Sequence, residues 1–183
     1  MRADETQDAA VAGMSLAEIT PDMASAYLAM VDDFEAAGEQ YPFNDVETAC
    51  RDFAAFADDL RNEALGIGLP PDVVPQTTYI LIDSDGRALG EIRLRPRLTP
   101  PFERHNGHIG YNVRPGERGK GYATRMLALA LEKARALGLE RIMLSVKGEN
   151  PASVRVIEKN GGILERRATD DMGGSVAIYW IAL

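Results

Sequence analysis

The sequence predicts an α/β domain built on a mixed sheet. Strand-like runs of alternating character flank Asp85-Gly86 and Met172-Gly173-Gly174. Apolar residues recur at helical spacing over 23–34 and 126–134. The order is strand, two helices, three strands, helix, strand, helix, two strands. At 183 residues the chain has the size of one domain and can bury a core without staples.

Taken in order, residues 1–13 are small and polar and carry Asp4, Glu5 and Asp8. They have neither the basic start nor the apolar centre of a signal peptide, and they read as a disordered lead-in to one domain over 14–183. Residues 15–19 form a first strand. Thr20-Pro21-Asp22 then starts a helix, with threonine as cap and proline at the first helical position. Met23, Tyr27, Met30, Val31 and Phe34 share one face of that helix, and Gly38 ends it. A second helix follows Asn44 or Asp45, with Cys50, Phe53, Phe56 and Leu60 in its apolar stripe, which makes Cys50 a small core residue. Residues 66–75 are a glycine- and proline-rich loop.

Residues 77–83 and 87–95 are strands on either side of Ser84-Asp85-Gly86, a strong hairpin signal. Residues 96–107 are a long connection, 108–113 a strand, and 114–123 a basic glycine loop. A helix over 124–137 carries Met126, Leu127, Ala130, Leu131 and Ala134 inward, and Gly138 caps it. A strand over 141–146 follows. Asn150-Pro151 opens a short helix that Gly161 closes, and 163–168 with 175–182 make a terminal hairpin.

The net charge of −8 argues against a nucleic-acid partner, because neutralising phosphates needs a basic face. No apolar run approaches the roughly 18 residues of a membrane span. One cysteine and no export signal point to a reducing cytoplasm. His105 and His108 have no carboxylate or cysteine ligand nearby, so no metal is expected. Within this acidic chain, Arg114, Arg118, Lys120 and Arg125 cluster around the glycine loop, which points to an anionic ligand.

That loop joins a strand to a helix. A helix N-terminus leaves four N–H groups unpaired and carries about half a positive charge. Glycines let the backbone close on a phosphate, and Arg118 and Lys120 can add charge-assisted contacts. The spacing matches neither the dinucleotide fingerprint nor the nucleotide P-loop.

The run Arg118-Gly119-Lys120-Gly121-Tyr122-Ala123 resembles the Q/R-x-x-G-x-G/A signature of the GNAT superfamily of N-acetyltransferases. Its setting is similar too: the preceding strand ends Tyr-Asn-Val-Arg-Pro, and a long amphipathic helix follows. From Asn150 to Gly161 the chain resembles the family's second cofactor segment, N-x-x-A/S-x-x-x-Y-x-x-x-G-F. The resemblance covers 77–183 well and the amino-terminal helices, where the family binds variable acceptors, more loosely.

The resemblance implies a single-domain GNAT-like fold, its mixed, mostly antiparallel sheet having splayed central strands flanked by helices. It implies acetyl-CoA as cosubstrate, its pantetheine arm between the 108–113 and 141–146 strands. Arg118, Gly119, Lys120, Gly121, Tyr122, Ala123 and Thr124 would bind the pyrophosphate, and Asn150 and Ser153 would line the second wall. The Val113 N–H would polarise the thioester carbonyl. The amine of a small molecule or peptide would attack directly, with no acyl-enzyme, and family habit points to a homodimer. The chain departs from the family at Ile157, where many members have a tyrosine that protonates the leaving thiolate, and at Gly162, which replaces a phenylalanine. A CoA thiolate, with a pKa comparable to the cysteine value of about 8.5, leaves tolerably without that acid; Tyr122, Tyr111 and Tyr179 are other phenols.

An alkyl ammonium has a pKa of about 10.4 and must lose a proton before it attacks. Glu91 and His108 are the candidate bases. Glu91, Arg93 and Arg95 alternate with Ile92 and Leu94, so they share one face, where a polar cleft would spare the cost of burial. Antiparallel pairing would bring His108 and Asn112 to that face. Arg93, Arg95 and Asn112 would then contact the acceptor, the two arginines through a carboxylate or phosphate. The alternatives are a structural ion pair for Glu91 and a surface strand-end position for His108. Two other functions stand beside acetyl transfer: acyl-CoA binding without turnover, and transfer of a longer acyl group such as succinyl.

Overall fold

Strand-forming residues fall into two antiparallel sheets in the computed structural model, which describes residues 13–43, 45–70, 73–170 and 172–183. The lead-in before Gly13 and the helix start at Asn44 lie outside the described residues. The first sheet runs β1 (Ser15–Glu18), β2 (Thr77–Ile82), β3 (Ala88–Leu94), β4 (Ile109–Val113), in that spatial order. The second contains β5 (Arg141–Lys147), β6 (Ile163–Thr169) and β7 (Ser175–Ala182), with β7 in the middle. The β2–β3 turn forms because Asp83 accepts hydrogen bonds from the Asp85 and Arg87 N–H groups, while Gly86 takes a left-handed φ of 77°.

The helices are α1 (Ala24–Ala36), α2 (Val46–Arg51), α3 (Phe53–Leu65), α4 (Pro100–His105), α5 (Tyr122–Ala136) and α6 (Pro151–Lys159). Three expectations change. Thr20 makes no side-chain cap bond; the chain enters α1 through a 3₁₀ turn over Pro21–Met23. The second helix is two, because Asp52 leaves helical backbone at φ −151°, ψ 89° and caps α3 through the Ala55 N–H. That break turns Cys50 out of the apolar stripe, and it is exposed, not core; Ala49, Phe56 and Ala57 are buried instead. Finally, the 96–107 connection contains α4, with Thr99 before it and a proline in its first turn.

The core lies on both faces of the first sheet. On one face α5 packs Met126, Leu127, Ala130, Leu131 and Ala134 against Leu89, Ile92 and Leu94 of β3 and Leu144 and Val146 of β5. This one helix therefore binds the two sheets together. On the other face α1, α2 and α3 set Tyr27, Met30, Phe34, Ala49 and Phe56 against Ile80 and Ala88. Tyr27, Phe34 and Met30 are fully buried, each contributing about 1.5–3 kcal/mol on the usual area scale. The odd-numbered charged residues of β3 thus point under the amino-terminal helices.

Where the sheets adjoin, β4 and β5 meet only at one end. Gly107 bridges Leu144, and the His108 N–H donates to the Met143 carbonyl at 2.8 Å. A Cβ on Gly107 would lie 2.5 Å from that carbonyl oxygen, so only glycine fits the seam. Beyond it, among the described residues, no backbone ladder joins the two strands. The expected splay is present.

Candidate active site

The direction of the free β4 groups follows from its pairing with β3. Arg95 N–H donates to the His108 carbonyl at 2.8 Å, and Arg114 N–H to the Leu89 carbonyl at 3.0 Å. In an antiparallel ladder, hydrogen-bonded pairs alternate with non-bonded ones. With Asn112 opposite Glu91 and Gly110 opposite Arg93, the even positions of β4 face β3. The backbone groups of Tyr111 and Val113 therefore point into the gap toward β5. The Val113 carbonyl accepts from the Arg118 Nε at 3.1 Å, which leaves the neighbouring N–H groups as the gap's donors.

A cavity of about 690 Å³ opens from this gap. Tyr111, Asn112 and Val113 line one side. The loop and first turn of α5 contribute Arg118, Gly119, Gly121, Tyr122, Ala123 and Thr124. Gly121 precedes α5 with φ 87°, a conformation that L-residues pay for and glycine does not. It lets the first-turn N–H groups of α5 face the cavity. Across it stands the mouth of α6, with Asn150, Ala152 and Ser153. Asn150 Oδ1 caps that helix by accepting from the Ser153 N–H at 3.0 Å. Lys120 does not line the cavity.

The loop's cations are already committed to carboxylates. Arg118 holds Glu39 through two bonds of 2.7 Å, which keep the Glu39 carboxyl below the usual range. Lys120 and Arg87 both hold Glu117 at 2.7 Å, and Arg114 pairs with Asp33. What the loop still offers an anion is its backbone N–H groups. Two cations the sequence reasoning passed over, Arg155 and Lys159, line the same cavity from one face of α6. Their spacing of four residues was the available signal.

The face of β3 that was expected to be an open polar cleft is a closed network. Glu91 is 0% exposed. It accepts from the Tyr41 hydroxyl at 2.6 Å, from the Tyr27 hydroxyl at 3.5 Å and from the Arg93 Nε at 2.9 Å. Burial pushes its carboxyl above the usual range against the pull of Arg93 and Tyr41. Arg93 stacks on Phe43 at 4.5 Å. The Asn112 amide sits in the cavity wall beside this network, both its polar atoms buried without a well-formed partner among the described residues. Tyr27 carried no sequence signal beyond its apolar spacing, and Tyr41, outside any helix or strand, carried none.

His108 does not join Glu91. It lies opposite Arg95, four residues along the strand, or about 13 Å from Glu91 at ~3.3 Å per residue. It is 8% exposed, and its Nδ1 accepts from the Met143 N–H at 3.0 Å. Burial first, then Arg95 and Arg141, hold its pKa at about 4. It lines neither cavity and serves the seam.

A second cavity of about 220 Å³ occupies the inner end of the gap, lined by Arg95, Tyr111, Ser145, Lys147, Ser153 and Ile157 among others. Tyr111 and Ser153 line both cavities. The Tyr111 hydroxyl donates to the Ser153 carbonyl at 3.4 Å, and burial raises its pKa. Ile157 is buried beneath it; a Cβ on Gly162 would lie 2.2 Å from its Cγ2, so the two departures from the family pattern fit each other. Tyr179 is a core residue.

The model of the acetyltransferase (GNAT) family matches residues 30–162. No curated protein matches the chain in sequence. Among solved structures, RimJ of Mycobacterium smegmatis in complex with CoA-disulfide superposes with a TM-score of 0.69 at 22% identity, covering 92% of this chain and 81% of that one. The ribosomal-protein-S5-alanine acetyltransferase of Vibrio fischeri gives 0.67 at 16% identity and covers 93% of both chains. YncA of Salmonella typhimurium with its cofactor acetyl-CoA gives 0.61 at 14% identity, covering 93% of this chain and 94% of that one.

Proposed function

The chain belongs to the GNAT acetyltransferase family, and from that premise we propose that it moves the acetyl group of acetyl-CoA to the primary amine of a small molecule or peptide by direct attack. One observation carries the proposal: two helix mouths and a free strand edge converge on a single cavity. Backbone N–H groups of Gly119, Gly121, Ala123 and Thr124 suit the pyrophosphate. The unpaired edge of β4 suits an amide-bearing pantetheine arm, and Asn150 and Ser153 support its far wall. Arg155 and Lys159 add positive charge at the outer end of the cavity.

Along the gap the chain's own groups divide the chemistry. The Val113 N–H, aimed into the gap, stabilises charge developing on the thioester oxygen. Glu91, held above the usual carboxylate range, takes the ammonium proton by relay: the Tyr41 hydroxyl gives its own proton to the carboxylate and takes one from the amine side, beside the Asn112 amide, which carries no proton itself. With Ile157 unable to donate a proton, Tyr111 is the phenol placed where the two cavities meet, and it protonates the leaving thiolate. His108 keeps the sheets joined at the gap's closed end and takes no part in proton transfer. The single cysteine suits a cytoplasmic setting, and the gap is complete within one copy, so a homodimer would be additional to the site.

Calorimetric titration with coenzyme A, followed by thiol release from acetyl-CoA over an amine panel, tests the proposal. Micromolar binding with amine-dependent thiol release is expected. The apolar Ile157 favours a second reading, acyl-CoA binding without turnover, which predicts binding and no release with any amine.

A further inference from the structure

We propose that the small cavity at the inner end of the β4–β5 gap is a carboxylate-binding subsite, with the Arg95 guanidinium and the Lys147 ammonium as its cations. The inference rests on acetyl transfer for where the reacting amine lies, and it adds the chemistry of the group beside that amine.

The lining is one-sided in charge. Phe43, Ile109, Leu144 and Ile157 give apolar walls, Arg95 and Lys147 bring two cations, and no carboxylate lines the cavity among the described residues. The two arginines of this strand face differ in what neutralises them. Arg93 meets Glu91 at 2.9 Å. Arg95 makes no salt bridge among the described residues, and its Nε is buried without an acceptor. A guanidinium carries five N–H donors; here one donates to the Gly107 carbonyl at 3.3 Å. The group stacks on Phe102 at 4.8 Å, which fixes its plane.

A half-buried cation that no carboxylate meets in a salt bridge among the described residues is left poorly compensated. Burial first, then repulsion from Arg93, outweigh the attraction of the more distant Glu63 carboxylate and bring Arg95 down to about 10, so it stays charged at neutral pH. A ligand carboxylate would supply the missing charge and accept from the idle donors. A polyamine would place more positive charge against two cations. The cavity has room for roughly seven waters' worth of volume at ~30 Å³ each, which suits a small group such as a carboxylate with its neighbouring carbons.

The carboxylate can arrive from two sources: on the acceptor, as in an amino acid, or at the far end of a dicarboxylic acyl group such as succinyl. Calorimetry with coenzyme A comes first, and absence of binding sinks acetyl transfer and the subsite together. With binding established, affinities and thiol release are compared for glycine, alanine, glutamate and phenylalanine against their amides, with acetyl-CoA as donor. A parallel arm compares succinyl-CoA with acetyl-CoA. The expected result is a preference of about tenfold to a hundredfold for the carboxylate form in one arm, the value of a hydrogen bond to a charged group. Lys147→Gln, at an exposed position, and Arg95→Gln should each erase most of that preference. An acid-over-amide preference assigns the carboxylate to the acceptor; a succinyl preference assigns it to the acyl group. Equal behaviour in both arms, in protein that binds coenzyme A, overturns the subsite and leaves acetyl transfer standing.

Discussion

Acidification should loosen the seam between the sheets through His108, by an amount the structure sets. Its Nδ1 accepts the Met143 N–H at 3.0 Å, which requires the neutral ring, and its pKa falls from 6.5 to about 4. Between those values the unfolded chain binds a proton that the folded chain refuses. Stability from this group is therefore intact above about pH 6.5, drains away as the pH falls to about 4, and changes no further below. The interval, 6.5 minus 4, is worth about 3.4 kcal/mol at ~1.36 kcal/mol per pH unit. Stopping at pH 4.5 and discounting for the solvent that still reaches the ring leaves about 2 kcal/mol.

Other carboxyl groups titrate at the acid edge of this window and below it. Asp33, Glu39, Asp45 and Glu117 have lowered pKa values and also cost stability on acidification; Glu91, raised, acts in the opposite sense. Comparison with His108→Asn, which keeps an acceptor and cannot titrate, removes these contributions. Urea unfolding at pH 7 and pH 4.5 should show the wild type losing about 2 kcal/mol more than the variant. Parallel losses in the two proteins would refute the neutral, seam-holding histidine.

Four further outcomes are expected. Gly121→Ala forces an L-residue to φ 87° at a cost of about 1–2 kcal/mol; coenzyme A affinity by calorimetry should fall about tenfold. Glu91→Gln should lower kcat about 10²-fold or more while leaving coenzyme A affinity unchanged, and an unaltered kcat would remove Glu91 from the proton path. Tyr111→Phe should reduce kcat about tenfold to a hundredfold and abolish the alkaline limb of its pH profile; a profile identical to wild type returns the leaving-group proton to solvent. Gly162→Ala, with its Cβ against Ile157, should destabilise by about 1–3 kcal/mol in urea. Adding Ile157→Ala should restore only part of this, because the Ile157 carbonyl oxygen also lies within 2.8 Å of that Cβ.

Features fixed by neighbours in sequence were legible. The Asp85-Gly86 turn, the glycine before α5 and the Asn150 cap all depend on a few consecutive residues, and each formed where its residues stand. Features fixed by packing were not. Helical period alone put Cys50 inward; Asp52, able to cap a new helix, broke that period and reversed it. Alternation on β3 correctly grouped Glu91, Arg93 and Arg95, but only tertiary structure shows that Tyr27 and Tyr41 close over the first and Phe43 over the second. The helix at Pro100–His105 had its signal in Thr99-Pro100, which the proline count of the connection obscured. The register of β4 on β3, absent from any local pattern, separated His108 from Glu91.

The single-ended junction of β4 and β5 has a consequence for how a ligand arrives. Those strands forgo their mutual ladder in the folded protein itself, sharing a core with α5 and stitched at one end by Gly107. The slot is already open, at a width fixed by the core. An incoming chain-like molecule finds unsated amides rather than a surface that must rearrange, so little ordering remains to be done at encounter. For the proposed pantetheine arm, capture would then be a matter of threading, its ordering entropy largely met by the fold beforehand.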